Sequence, residues 1–207
     1  MSRGERRRAV FLDRDGTINH DTNYLSSPHE LRLIPGADRA IARLNAAGLW
    51  VVVVTNQSGL ARGYFGERDL EAVHAELQRL LSRAGARIDA FYHCPHLPPA
   101  LYDSGPPQRR GRPRPELIVP CECRKPAPGL VLRAARELGI ELAGSFLVGD
   151  RPGDIACGRA AGLTCVRVAT GPDASPPSGP EEVPHHQAPD LAAAVDWILA
   201  RLQEGAR

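Results

Sequence analysis

Apolar positions along the chain alternate between two spacings. Ala9 to Asp13 opens with a short continuous apolar run that suits a buried strand. Leu49 to Val54 is a β-branched run, typical of a strand covered on both faces. Ile88–Tyr92, Ser145–Gly149 and Thr164–Val168 predict three more strands. Between these runs the spacing becomes helical. Ile41 and Leu44 share one face of a helix that Pro35-Gly36-Ala37-Asp38 starts and Ala47-Gly48 stops. Leu70, Val73, Leu77 and Leu80 mark an amphipathic helix over Glu67–Arg83. Pro128–Leu138, ended by Gly139, and Asp154–Ala161, ended by Gly162, predict two more. Asp190 can cap a last helix over Leu191–Leu202. Such alternation predicts an α/β fold: a central parallel sheet with helices on both faces, a three-layer sandwich.

Two stretches break the rhythm. Leu97–Pro120 is rich in Pro, Gly and Arg and has no periodicity, so a disordered, solvated arm is expected. Arg109, Arg110, Arg112 and Arg114 lie there, and a sharper reading makes them a lip that attracts phosphorylated substrate. Gly171–Pro189 is proline-rich and predicts a loop. With no internal repeat, one domain over 1–207 is expected, carrying an insert at 94–125.

Composition narrows the partners. A net charge of +2 supplies no bulk field for nucleic acid or an anionic membrane. The apolar run Leu49–Val54 is too short to span a bilayer. The basic start MSRGERRR is followed by no apolar segment of signal-peptide length, so a cytoplasmic protein is expected. Three of the five cysteines fall within thirty residues, which in such a chain suggests metal binding before disulfides.

The candidate chemistry sits at strand ends, where open α/β sheets bind ligands. Asp13-Arg14-Asp15-Gly16-Thr17 follows the first strand and Thr55-Asn56-Gln57-Ser58-Gly59 the second. Cys123-Arg124-Lys125-Pro126 follows the third strand and its insert, and Gly149-Asp150-Arg151-Pro152-Gly153-Asp154 the fourth. One polar loop is unremarkable; four such loops converge on one crevice. Asp13, Asp15 and Asp150 would repel one another unless a cation sat among them, and oxygen-only ligands suit Mg²⁺. Lys125, Thr55 and Ser58 can hold phosphate oxygens. A carboxylate can accept a phosphoryl group, and a second carboxyl two residues on can serve as acid and then base.

These motifs (DxDGT, a Thr on the second strand, a Lys in the third cluster, then GDxxxD) resemble those of haloacid-dehalogenase-like phosphatases from about Ala9 to Gly171. The resemblance implies a Rossmann-like sheet with a minimal cap. It makes Asp13 the nucleophile and an Mg²⁺ ligand. Asp15 would be the general acid/base and bind Mg²⁺ through its backbone carbonyl. Thr55 and Lys125 would steady the transferring group, Asp150 would complete the Mg²⁺ site, and Asp154 would orient the set. DRDGTIN, Asp21, Tyr24, TNQSGLARG and a Cys-x-His…Cys-x-Cys set joined to RKP are similar to the D-glycero-D-manno-heptose 1,7-bisphosphate phosphatases. That family would place Asn19, Asp21, Tyr24, Thr55, Asn56, Gln57, Ser58, Arg124 and Lys125 against a phosphorylated sugar losing its C7 phosphate, on the way to ADP- or GDP-heptose. Arg151 stands where the family usually has Lys, which keeps charge but not geometry. Absence of a large cap suggests a monomer with an open site.

Cys94, His96, Cys121 and Cys123 offer three thiols and an imidazole, a set for tetrahedral, structural Zn²⁺; simple reduced thiols are the alternative. His93 reads as a strand-end residue, Cys157 and Cys165 as small core residues, His20 and His29 as surface positions, and His185-His186 as exposed. Three rival functions remain. Histidinol-phosphate phosphatase domains share much of the pattern. A non-catalytic phosphate-binding module is opposed by intact Asp13, Asp15, Lys125 and Asp150. A nucleic-acid end-processing phosphatase is weakened by the low charge and the lack of an aromatic stacking platform.

Overall fold

The computed structural model describes residues 7–104 and 111–204. It contains six parallel strands: β1 (Ala9–Leu12), β2 (Trp50–Asn56), β3 (Ala90–Cys94), β4 (Phe146–Gly149), β5 (Thr164–Val168) and β6 (His186–Ala188). They lie in the order β3-β2-β1-β4-β5-β6. The helices are α1 (Ala37–Ala46), α2 (Gly59–Arg62), α3 (Glu67–Ser82), α4 (Gly129–Leu138), α5 (Pro152–Ala160) and α6 (Leu191–Glu204). The α/β three-layer architecture expected from the sequence is present.

Pleating divides the core. Val10 and Leu12 of β1 and Val51 and Val53 of β2 join Ile41, Leu44, Leu77 and Ile198 on the α1/α3/α6 side. Ala9, Phe11, Val52 and Val54 face Leu130, Val131 and Ile155 on the α4/α5 side. The continuous apolar runs are explained: β1, β2 and β4 bury both faces. On α3 the buried stripe ends at Leu81, with Leu80 only partly covered. Cys157 and Cys165 are buried in the α4/α5 core, as expected.

Register places the chemistry. β1 is central, with Leu12 beside Val53 of β2 and Val148 of β4. Asp13 and Asp150 therefore emerge next to each other, and Thr55 stands on the neighbouring strand.

Two expectations fail. The proline-rich segment is not all loop: β6 pairs with β5 through Val166–His186 and Val168–Ala188. Three residues on a sheet edge need only one hydrogen-bonding side, so flanking prolines are tolerated and hide the strand. His186 also stacks on Trp197 at 4.7 Å rather than standing free.

The arm is likewise pinned where it is described. Arg62, at the end of the unpredicted helix α2, is buried and donates to the carbonyls of Leu101 and Tyr102, both at 2.7 Å. Leu97 N donates to Leu117 O and Arg114 N to Ala61 O. A Cβ at Gly111 would meet Arg62 O at 2.4 Å, so the arm returns in backbone contact with α2. Arg112 packs its backbone against Gly63 and Arg114 pairs with Glu116 at 2.9 Å; Arg109 and Arg110 lie outside the described residues. Among the described residues no helix is long and apolar enough to cross a membrane.

Candidate active site

Asp13 continues β1 by one residue, its N–H held by Val148 O at 2.9 Å. Lys125 reaches it from the turn before α4. Lys125 Nζ lies 2.5 Å from Asp13 Oδ1, 2.7 Å from Asp154 Oδ1 and 2.8 Å from Val54 O. The Asn56 carboxamide brackets the Lys125 backbone, accepting from its N–H and donating to its carbonyl, each at 3.1 Å. Lys125 is thus fixed at both ends. Burial disfavours its charge, but Asp13 and Asp154 outweigh that and hold the ammonium above its ordinary range.

One ammonium does not balance the carboxylates. Asp150 follows β4 and is fully buried, and neither of its carboxylate oxygens has a hydrogen-bond partner. Its room comes from two glycines. A Cβ on Gly16 (φ +86°) would sit 2.7 Å from the Asp150 carboxyl carbon, and one on Gly171 would overlap Oδ2. Burial, then repulsion from Asp13 and Asp154, pushes Asp150 up to about 8. Burial pushes Asp13 up to about 7 against the pull of Lys125. Ligand atoms of Asp13, Asp150 and Asp154 lie within 4.8 Å of one another. Arg151 Nε, 3.8 Å from Asp150 Oδ2, makes only a long ion pair, so excess negative charge and hard oxygens without hydrogen bonds fit a divalent cation. Asp154 is largely taken: one oxygen meets Lys125 and the other accepts the Arg151 N–H at 3.0 Å. A Cβ on Gly149 would lie 2.4 Å from that of Asp154, so glycine here admits its side chain.

Asp15 stands apart from this cluster. Its carboxylate turns to Arg14 and also accepts from Asn19 Nδ2 at 2.9 Å and Gln57 Nε2 at 3.0 Å. Burial opposes its charge, but Arg14 and the two amides prevail and hold it below the usual carboxylate value.

The mouth collects most of the expected substrate contacts. Asp21, Tyr24, Thr55, Gln57, Ser58, Arg124 and Arg151 line it with Asn56 and Lys125. Arg151 Nη2 is 2.8 Å from Asp21 Oδ2, tying the two sides of the opening together. Arg124 Nη1 donates to His96 O at 3.3 Å. Asn19 is the exception. It is fully buried behind Asp15, so it acts on that carboxylate rather than lining the cleft.

Beside the cleft, Cys94 at the end of β3 meets His96, Cys121 and Cys123. Cys94 Sγ is 3.0 Å from Cys123 Sγ and 3.6 Å from Cys121 Sγ, and His96 Nδ1 is 3.2 Å from Cys123 Sγ. These four soft donors converge within 4.8 Å, which fits one metal ion with a closed protein shell. His93 lies apart, 3.3 Å from Glu67.

The sequence reading overlooked Arg14, His74 and the bracketing role of Asn56, and it left out Asn23, which also lines the mouth. Arg14 was visible as a charge inside an apolar strand end. Nothing in the spacing pointed to His74, sixty residues away on α3.

A HAD-hydrolase-like family model matches residues 122–194. A D-glycero-D-manno-heptose-1,7-bisphosphate 7-phosphatase of Thermosynechococcus vestitus is 38% identical, with 95% of this chain and 97% of that protein covered. The D-glycero-beta-D-manno-heptose-1,7-bisphosphate 7-phosphatase of Rhodopseudomonas palustris is 41% identical over 76% of this chain and 81% of its own. Among solved structures, D,D-heptose 1,7-bisphosphate phosphatase from B. bronchiseptica, complexed with magnesium and phosphate, superposes with a TM-score of 0.73. It is 35% identical and covers 94% of this chain and 99% of its own. With likeness of this extent in sequence and in fold, the chain belongs to the D-glycero-D-manno-heptose-1,7-bisphosphate 7-phosphatase family of HAD-like phosphomonoesterases.

Proposed function

We propose that this chain hydrolyses the C7 phosphate of D-glycero-D-manno-heptose 1,7-bisphosphate, with Asp13 as nucleophile, in the making of ADP- or GDP-heptose. The observation that carries this reading is Lys125, wedged between Asp13 and Asp154 beneath a mouth that holds two more cations, Arg124 and Arg151. One phosphate fits the inner cation and the other the outer pair.

Asp13 and Asp150, with the Asp15 backbone carbonyl, would hold Mg²⁺. When bound, Mg²⁺ neutralises the carboxylates and the incoming phosphate oxygens. Asp13 attacks the phosphorus in line and the sugar oxygen leaves, giving an aspartyl phosphate. Asp15 must take up a proton against the pull of Arg14 before it gives one to that oxygen; it then takes one from the water that hydrolyses the intermediate. Lys125 and Thr55 steady the transferring oxygens, and Lys125 does so from a fixed position. The Cys94–His96–Cys121–Cys123 set would hold a structural Zn²⁺. The protein acts as a cytoplasmic monomer on this reading.

Phosphate release from the heptose bisphosphate, histidinol phosphate and a 3′-phosphorylated oligonucleotide tests it. The bisphosphate should give the highest kcat/KM. Preference for either of the others would replace this reading.

A further inference from the structure

Arg14 has no place in the chemistry described so far, yet among the described residues it is the largest side chain buried to zero exposure. A guanidinium out of water needs partners. Its Nη2 meets Asp15 Oδ2 at 2.7 Å and Oδ1 at 3.0 Å, and its Nε meets Oδ1 at 3.1 Å. Nη1 faces the other way, 3.2 Å from His74 Nε2 on α3. His74 in turn stacks on Phe91 of β3, with ring centroids 4.4 Å apart. Arg14 cannot accept a hydrogen bond, so Nε2 must be the acceptor and the His74 proton sits on Nδ1. Burial and then Arg14 push His74 down to about 3, in keeping with a neutral ring.

We propose that Arg14 and His74 are positioning residues: His74 braces the guanidinium, and the guanidinium fixes the Asp15 carboxylate in one orientation at the wall of the cleft. The proposal rests on Asp15 being the general acid/base. Arg14 sits at the bend just after β1, where its backbone carbonyl accepts from Ile18 N, and its long stem carries the fork back to Asp15. A lysine would offer one point charge in place of this planar grip. Asn19 and Gln57 complete the hold, so each carboxylate oxygen has at least two donors. The side chain is thereby restricted to one orientation, and a small shift of the fork moves it away from the bond being broken. Removing the His74 acceptor strands Nη1 in the interior and frees that shift.

The test compares kcat/KM for the sugar bisphosphate, whose alkoxide needs a proton, with kcat/KM for p-nitrophenyl phosphate, whose leaving group does not. His74 is half-buried, so His74→Leu should fold, and a cooperative thermal transition checks this. His74→Leu should lose about tenfold on the sugar and less than about twofold on the aryl ester. His74→Gln, which places an acceptor near Nε2, should restore the sugar rate. Arg14→Lys, with charge but no fork, should show the same split as His74→Leu. Asp15→Asn separates the two levels of the argument. If Asp15→Asn splits the substrates while His74→Leu and Arg14→Lys slow both equally or neither, the positioning proposal is wrong and the acid/base assignment stands. If Asp15→Asn itself shows no split, both fall.

Discussion

Lys125 Nζ and Asp13 Oδ1 are 2.5 Å apart, so the cation that would steady the phosphoryl group is already in contact with the carboxylate that would receive it. Arg124, one residue earlier, points instead to the mouth and to His96 O. Their substitutions should differ in kind. Lys125→Ala should lower kcat for every phosphomonoester by about 10²–10³-fold. Arg124→Ala should raise KM for the bisphosphate and leave a small monophosphate nearly unchanged, because its fork suits the retained phosphate. Steady-state kinetics on both substrates checks this; a uniform effect of Arg124→Ala would refute its assignment.

The carboxylate cluster predicts a pH-dependent response to metal. Asp13 is raised to about 7 and Asp150 to about 8, from an ordinary value of 3.8. Without metal, the folded cluster keeps protons in that window that the unfolded chain has released. The folded state then binds more protons, so this contribution to stability declines as pH rises from about 4 to about 8. A divalent cation takes the place of those protons. The Tm gain on adding Mg²⁺ to stripped protein should therefore grow between about pH 5 and pH 8. Asp150→Asn should remove most of that gain. A gain that is flat or shrinks with pH would show that these carboxylates do not hold the ion.

The thiol cluster makes a separate prediction. Cys94 and His96 leave β3, while Cys121 and Cys123 lead directly into Arg124 and Lys125. Closing a loop of this length without a clip costs entropy. The purified protein should carry about one equivalent of Zn²⁺ that added Mg²⁺ does not displace. Cys121→Ser should lose Zn²⁺, open residues 94 to 125 to protease and reduce activity, while the sheet still melts cooperatively. Metal content and limited proteolysis on the same samples decide the matter. Full activity and protease resistance without Zn²⁺ would reject the clip.

Much of this was legible in the sequence because strands buried on both faces advertise themselves. Val51 to Val54 and Ala9 to Leu12 have no polar interruption, and their ends locate Asp13, Thr55 and Asp150. What escaped depended on long-range contact. β6 is three residues held by β5 alone, and its flanking prolines read as loop. The anchoring of the arm depends on Arg62, whose hydrogen bonds to Leu101 and Tyr102 carbonyls span about forty residues of chain. Asn19 resembled a substrate contact because its motif position is next to the cleft. Its side chain instead lies beneath Asp15, a distinction of depth that spacing does not encode.

Asp13 as the attacking carboxylate is the claim on which the rest depends. The direct measurement is Mg²⁺-dependent phosphate release by Asp13→Asn, on protein whose thermal unfolding matches or exceeds the parent. The amide is nearly isosteric and relieves repulsion with Asp150 and Asp154, so the fold should persist. It cannot form the acyl phosphate, so turnover should fall by on the order of a thousandfold or more. A folded Asp13→Asn protein that retains substantial Mg²⁺-dependent turnover would contradict the account.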